Sequence, residues 1–149
     1  MADNESRPLL SAKTAASVAR AIKTWLNSCT DLATGDEFSF EDLAEDARGL
    51  TFTTDQAAVY AARYISGGYR GEYRFRLIYR VQPSDDADML TAVEYLTGIC
   101  AWCETAAPPD LDNAVNERII RTSDVAVLAV YEDGCTDYSA SLTFTWEEF

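Results

Sequence analysis

The sequence predicts an α+β domain in which a mostly antiparallel sheet is covered by two helices on one face. Two segments repeat apolar residues at helical spacing, and the segments around them alternate apolar and polar residues as strands do. The length of 149 residues is typical of one domain and is sufficient to bury a core. We therefore interpret residues 1–10 as a flexible lead and residues 11–149 as a single α+β domain.

The first helix is predicted over residues 11–28, where apolar side chains recur at helical spacing. This stripe consists of Ala15, Val18, Ala19, Ile22 and Leu26. The acidic segment 30–48 follows it, and a charge run of this kind is typical of a solvated surface loop. A strand is predicted over residues 50–54 by alternation. Residues 55–65 are rich in alanine and are compatible with either a short helix or an extended chain.

The clearest strand pattern covers residues 73–81, in which every second residue is aromatic or aliphatic. The opposite face carries Arg74, Arg76, Ile78 and Arg80. We therefore expect one core face and one charged face. The glycine-rich segment 66–71 precedes this strand, and we interpret it as a turn because a phosphate-binding loop requires a helix after it.

The second helix is predicted to begin near residue 85, because three aspartates follow Pro83 where a helix N-terminus favours negative charge. Its apolar positions continue at helical spacing over about five turns. They are Met89, Val93, Leu96, Ile99, Cys100 and Cys103. Pro108 and Pro109 lie beyond its end, where the helix cannot continue.

Three extended stretches complete the chain, at residues 118–121, 125–131 and 138–146. The last two are separated by EDGCTD, whose glycine and aspartates predict the turn of a β-hairpin. Glu132 and Asp133 are therefore expected at an exposed hairpin tip, and we consider them candidate contacts with a partner.

The composition limits the possible functions. The chain has 25 acidic and 12 basic residues, a formal net charge of -13, which disfavours wrapping of nucleic acid. Histidine is absent, so the commonest general base and metal ligand are missing and hydrolytic chemistry is disfavoured. The sequence has neither a run of about 18 apolar residues nor a signal peptide. We expect a soluble protein that is made in a cytoplasm and has no membrane partner.

Cys100 and Cys103 form a C-x-x-C motif. In thioredoxin-like enzymes this motif opens a helix, whose dipole lowers the thiol pKa, whereas here it closes one. A structural zinc site needs a second ligand pair, and Cys29 and Cys135 do not form one. We expect four reduced thiols in a reducing compartment, with a small redox or zinc enzyme as the remaining alternative.

The acidic clusters at residues 85–88 and 132–137 are candidate metal ligands. The second cluster lacks the D-x-D-x-D-G frame of a calcium loop, and a helix start and a hairpin turn account for both. No serine lies in a G-x-S-x-G elbow. The sequence therefore predicts no metal, no cofactor and no catalytic residue.

Three arginines, Arg74, Arg76 and Arg80, form a basic stripe in this acidic chain. In the first interpretation they pair with carboxylates of residues 31–46 and 132–137 within the subunit. In the second they pair with the same carboxylates of an identical neighbour, and in the third they bind the phosphates of nucleic acid. The second interpretation suits a ring, in which one heterologous contact repeats around an axis. All three interpretations remain open from the sequence.

The chain resembles the tail terminator (tail completion) proteins of long-tailed bacteriophages, which are often labelled minor capsid proteins. Three segments in this order carry the resemblance: YISGGYRGEYRFRLIYRV, DADMLTAVEYLTGICAWCE and EDGCTDYSASLTFTW. The similarity covers residues 10–149. It lies in the order and spacing of a glycine turn, a strand, a helix that ends near a tryptophan, a further strand, an acidic turn and a strand of alternating aromatic residues.

The resemblance implies a small α+β subunit that forms a six-membered ring on the head-proximal end of the tail tube. The ring would stop polymerisation of the major tail tube protein and present a surface to the head completion protein, at the head–tail junction of the virion. No enzymatic activity and no cofactor are implied. Another head–tail connector component, such as a stopper protein, is the alternative.

We expect Arg74, Arg76 and Arg80 at a subunit interface or in the lumen of this ring. The charge of -13 suggests an acidic lumen through which DNA passes without specific binding.

Overall fold

The computed structural model describes residues 14–41, 48–65, 68–112 and 114–148, without the side chains of residues 57–61 and 63. It contains the helices α1 (Ala15–Leu26) and α2 (Asp86–Thr105). The strands are β1 (Phe38–Phe40), β2 (Gly49–Arg63), β3 (Tyr69–Val81), β4 (Val115–Val130) and β5 (Thr136–Glu148). The flexible lead predicted at residues 1–10 lies outside the described residues.

The described strands form one sheet in the order β1-β2-β3-β5-β4. Only the first pair, β1 and β2, is parallel, and the other neighbours are antiparallel. Helix α1 packs over β1 and β2, and α2 packs over β3, β5 and β4, on the same face of the sheet. The predicted fold class is therefore confirmed. Neither helix is apolar enough along its length to cross a membrane.

Side-chain caps define where both helices begin. The Oγ1 of Thr14 accepts a hydrogen bond from the Ser17 amide at 3.1 Å, and the Ser17 Oγ accepts one from the Thr14 amide at 2.8 Å. This reciprocal arrangement is a capping box. Asp85 caps α2 by accepting a hydrogen bond from the Asp88 amide at 2.9 Å. Helix α2 begins where it is predicted, whereas α1 ends at Leu26, two residues before the predicted end.

The core lies between the helices and the covered face of the sheet. Tyr73 pairs with Phe144 and Phe75 with Leu142, and all four side chains are fully buried. The alternation predicted for these strands is confirmed. The rings of Trp25 and Trp102 lie 4.8 Å apart between the two helices. The indole Nε1 of Trp25 also donates a hydrogen bond to the Ala107 carbonyl at 2.8 Å, which ties α1 to the chain after α2.

Two segments are more extended than the sequence predicts. The ambiguous residues after Thr54 continue β2 as far as Arg63. The interpretation of residues 30–48 as a loop is wrong at Phe38–Phe40, because Phe38 is buried and its amide donates a hydrogen bond to the Asn27 Oδ1 at 2.6 Å. Helix α1 thereby holds this short strand beside β2. Residues 42–47 of the predicted loop lie outside the described part of the chain.

The predicted turn at residues 66–71 is too long, because β3 begins at Tyr69. Gly71 lies inside this strand, opposite Trp146 of β5. A Cβ atom on Gly71 would overlap the indole ring of Trp146. The glycine therefore allows a close approach of the ring to the backbone and is not a turn residue.

The predicted strands at 118–121 and 125–131 are one strand, β4. The alternation fails because the pairing with β5 has four register shifts, including those between Arg121 and Ser123 and between Ser123 and Ala126. Each shift rotates the following side chains relative to the sheet. The predicted hairpin between β4 and β5 is confirmed.

Candidate functional site

The face of the sheet opposite the helices carries a band of charged side chains, and we call this the open face. Its members in β3 are Arg70, Glu72, Arg74 and Arg76. The Nη2 of Arg74 lies 3.6 Å from a Glu72 carboxylate oxygen, and the Nη2 of Arg76 lies 3.5 Å from an Asp55 carboxylate oxygen. These partners lie on β2 and β3, not in the acidic segments that the sequence suggests.

Arg80 occupies a different environment from Arg74 and Arg76. Its side chain is buried, its Nε lies 2.7 Å from Asp137 Oδ1, and its Nη2 lies 3.1 Å from Asp137 Oδ2. The Tyr131 hydroxyl donates a hydrogen bond to the same carboxylate at 2.7 Å. The guanidinium also lies 4.8 Å from the centre of the Tyr131 ring. The hydrogen bonds that Arg80 donates to Asp137 raise the pKa of Arg80 further above its ordinary value.

Contrary to the expectation from the sequence, Arg80 is therefore not available to a neighbouring subunit or to a lumen. It pairs with a carboxylate of its own chain. Arg80 joins β3 to the base of the β4–β5 hairpin, and its partner Asp137 does belong to one of the acidic segments considered from the sequence. Arg74 and Arg76 are more exposed, and their place at an interface or in a lumen stays a prediction. The three arginines are not one site, because burial separates Arg80 from the other two.

Residues 131–135 form the tip of the β4–β5 hairpin, as predicted. Gly134 adopts a φ of 89°, in the left-handed region that favours glycine. One carboxylate oxygen of Asp133 accepts a hydrogen bond from the Cys135 amide at 2.9 Å, and the other lies 3.1 Å from Arg48. The bond from Cys135 lowers the pKa of Asp133. Asp133 therefore shapes the turn, whereas Glu132 projects from it as an exposed carboxylate.

The C-x-x-C motif lies in the last turns of α2, with its side chains directed into the core. Cys100 and Cys103 are 0% and 1% exposed, and all four cysteines are free thiols. Burial raises the pKa of Cys100 to about 11 and also raises that of Cys103. A thiol in this environment is a weak nucleophile, because the reactive species is the thiolate. Among the described residues no three cysteine or carboxylate side chains are grouped to hold a metal ion.

The edge of the sheet at β4 exposes aliphatic side chains that the sequence pattern does not assign to a surface. We call Val127, Leu128 and Val130, with the flanking carboxylates of Asp124 and Glu132, the β4 ridge. The three aliphatic side chains are 55%, 45% and 68% exposed. The sequence signal was the run VAVLAV, in which apolar residues occupy consecutive positions. A register shift between Val127 and Ala129 leaves Val127 and Val130 opposite Tyr138 and Thr136, which lie two residues apart on β5 and hence on one side of the sheet.

A groove lies at the opposite end of the sheet, between α1 and β1. It has a volume of about 260 Å³ and is lined by Ala16, Ala19, Arg20, Lys23 and Phe40. We call it the α1 groove. Its floor is apolar and its rim carries two cationic side chains. Arg20 and Lys23 lie outside the apolar stripe of the first predicted helix, but the sequence analysis did not predict β1, and the groove was therefore missed.

Comparison with protein-family models and with curated protein sequences gives no match for this chain. The described surface and core combine a charged open face with internal ion pairs, the two buried thiols of the C-x-x-C motif, and two unlike surfaces at opposite edges of the sheet.

Proposed function

We propose that this chain is a structural virion protein of the tail terminator type. In this role it forms a ring, with six subunits as the resemblance implies, on the head-proximal end of the phage tail tube. The ring stops polymerisation of the tube protein and provides the surface to which the head attaches. DNA passes through it without specific binding.

The observation that carries the proposal is the order of the elements. A glycine-containing segment leads into a strand, a helix follows that contains Trp102 near its end, and an acidic hairpin turn precedes a strand of buried aromatic residues. This is the order on which the resemblance rests, and it forms one continuous sheet with both helices on one face. The buried position of Cys100 and Cys103 supports a structural role over the redox alternative.

The distribution of charge also supports this role. The chain carries a net charge of -13, whereas the arginines of the open face lie beside carboxylates such as Glu72 and Asp55. An acidic ring surface repels the phosphates of passing DNA and so avoids retaining it. Basic groups that are already paired do not reverse this repulsion.

The test is to disrupt the gene in its parent phage and to image the lysate by electron microscopy. Filled heads beside unattached tails of uncontrolled length are expected, because tube growth is then unchecked while both halves still assemble. Tails of normal length beside heads that have lost their DNA would instead indicate a stopper protein. Normal infectious particles would contradict any role in the head–tail junction. Expression of the intact chain from a plasmid is the matched control and should restore attached tails of uniform length.

A further inference from the structure

Two surfaces without cover among the described residues lie at opposite ends of the molecule. Strands β1 and β4 are the outermost strands of the sheet, so the α1 groove and the β4 ridge face away from each other. Helix α1 packs over β1 and β2, and the groove therefore belongs to the β1 end. Two different surfaces on opposite sides of a subunit are what a head-to-tail contact requires.

The β4 ridge is an apolar surface bounded by negative charge. Val127, Leu128 and Val130 are exposed, and Asp124, whose side chain is 90% exposed, lies 3.3 Å from Arg121 at one end. Glu132 is exposed at the other end, on the hairpin tip. An edge strand with exposed aliphatic side chains favours association with another chain.

The α1 groove is an apolar surface bounded by positive charge. Phe40 is 41% exposed at its floor, beside Ala16 and Ala19. Arg20 and Lys23 are exposed, and neither has a hydrogen bond or an ion pair with any described residue. In a chain with a net charge of -13, two cations on one helix face that have no partner among the described residues are a specific attraction for an acidic surface.

A symmetric contact between two β4 strands fits less well. Antiparallel pairing centred on Leu128 would bring Asp124 of one copy opposite Glu132 of the other, and like charges in opposite positions are destabilising. The four register shifts of β4 also interrupt the row of backbone groups that strand pairing needs. The ridge is therefore suited to a contact through side chains, not to extension of the sheet.

We propose that the β4 ridge of one copy of this chain docks into the α1 groove of the next copy. The aliphatic side chains of the ridge cover Phe40 and the alanines of α1, and the carboxylates at 124 and 132 approach Arg20 and Lys23. Because the two surfaces differ, each copy can bind one neighbour at each end, and the contact repeats until a ring closes. That the closed ring caps a tail tube rests on the proposed function, but the contact itself does not.

The test measures self-association of the purified full-length chain by sedimentation velocity over a range of protein concentrations. Lys23→Glu in the groove and Glu132→Lys on the ridge are each expected to weaken association by about tenfold or more, because each places like charges together. The variant that carries both changes restores an opposite-charge pair and should recover most of the association. Leu128→Ser should weaken it without changing the charge.

Matched controls carry the same charge changes elsewhere. Arg118→Glu and Glu94→Lys alter exposed residues outside both surfaces and should leave association unchanged, and circular dichroism verifies that every variant is folded. Three results would overturn the contact: equal effects of the controls and of the groove and ridge variants, a dimer as the largest species, or a monomer at all concentrations. None of these results bears on the gene disruption experiment, so the contact and the proposed function fail separately.

Discussion

The ion pair of Arg80 and Asp137 is the most buried charged contact among the described side chains, with 7% and 3% of the two side chains exposed. Two parallel hydrogen bonds and the Tyr131 hydroxyl satisfy both charges. Removing one member of such a pair leaves an uncompensated charge in the interior, whereas removing both leaves none. The energetic effect therefore depends on which residues are replaced.

Asp137→Ala is expected to lower the free energy of unfolding by about 3–5 kcal/mol, because the guanidinium of Arg80 remains buried without its carboxylate. Urea denaturation followed by circular dichroism measures the change. The combined replacement Arg80→Met with Asp137→Leu should be within about 1 kcal/mol of the unmodified chain or more stable.

The matched control for this pair is Asp55→Ala. It removes the carboxylate that lies 3.5 Å from the partly exposed Arg76, and a loss of at most about 1 kcal/mol is expected. If Asp137→Ala lowers the free energy of unfolding no more than Asp55→Ala does, the charges of Arg80 and Asp137 are solvated. The interpretation of this ion pair as buried is then wrong.

The contact between strands β3 and β5 depends on the absence of a side chain at residue 71. The indole of Trp146 is fully buried and lies directly over Gly71. It cannot move aside as an exposed flexible side chain would. A methyl group at this position must therefore displace either the ring or the strand.

Gly71→Ala is expected to destabilise the fold by about 1–3 kcal/mol through this overlap. Thermal and urea unfolding measure the effect, and the tryptophan fluorescence of the folded chain should change with it. Gly98→Ala is the control, because Gly98 lies inside α2 and an added Cβ has no tertiary neighbour within 4 Å. Alanine there should stabilise the helix by about 0.5–1 kcal/mol. If both substitutions change the free energy of unfolding equally, the structure accommodates a Cβ atom at residue 71 without loss of stability, and the predicted overlap with Trp146 is wrong.

The sequence was sufficient to predict those elements whose alternation or helical spacing is uninterrupted. Strands β3 and β5 and helix α2 are of this kind, since one face of each is buried against the core. Strand β4 was predicted as two pieces because its bulges break the two-residue period. Strand β1 was missed because three residues give no measurable period, and its position depends on Asn27, which is distant in sequence.

The order of the strands in the sheet decides which surfaces of the molecule remain open, and a single sequence does not reveal that order. The charged face of β3 was predicted correctly, but its ion pairs depend on which strands lie beside it. Asp55 reaches Arg76 because β2 is the neighbour of β3. The positions of β1 and β4 at the edges of the sheet also depend on the strand order. The α1 groove and the β4 ridge therefore could not be predicted from the sequence.

The open face and the edge surfaces are therefore competing locations for contact between subunits, and Arg76→Glu distinguishes them. The guanidinium of Arg76 already has an intramolecular partner, so reversing its charge should change the association constant by less than about threefold. The same reversal at Lys23, which has no partner among the described residues, should weaken association much more strongly. Sedimentation velocity of both variants under identical conditions measures the difference. Loss of association in a folded Arg76→Glu variant, with Lys23→Glu unaffected, would place the contact on the open face, because only a neighbour bound there would meet the reversed charge.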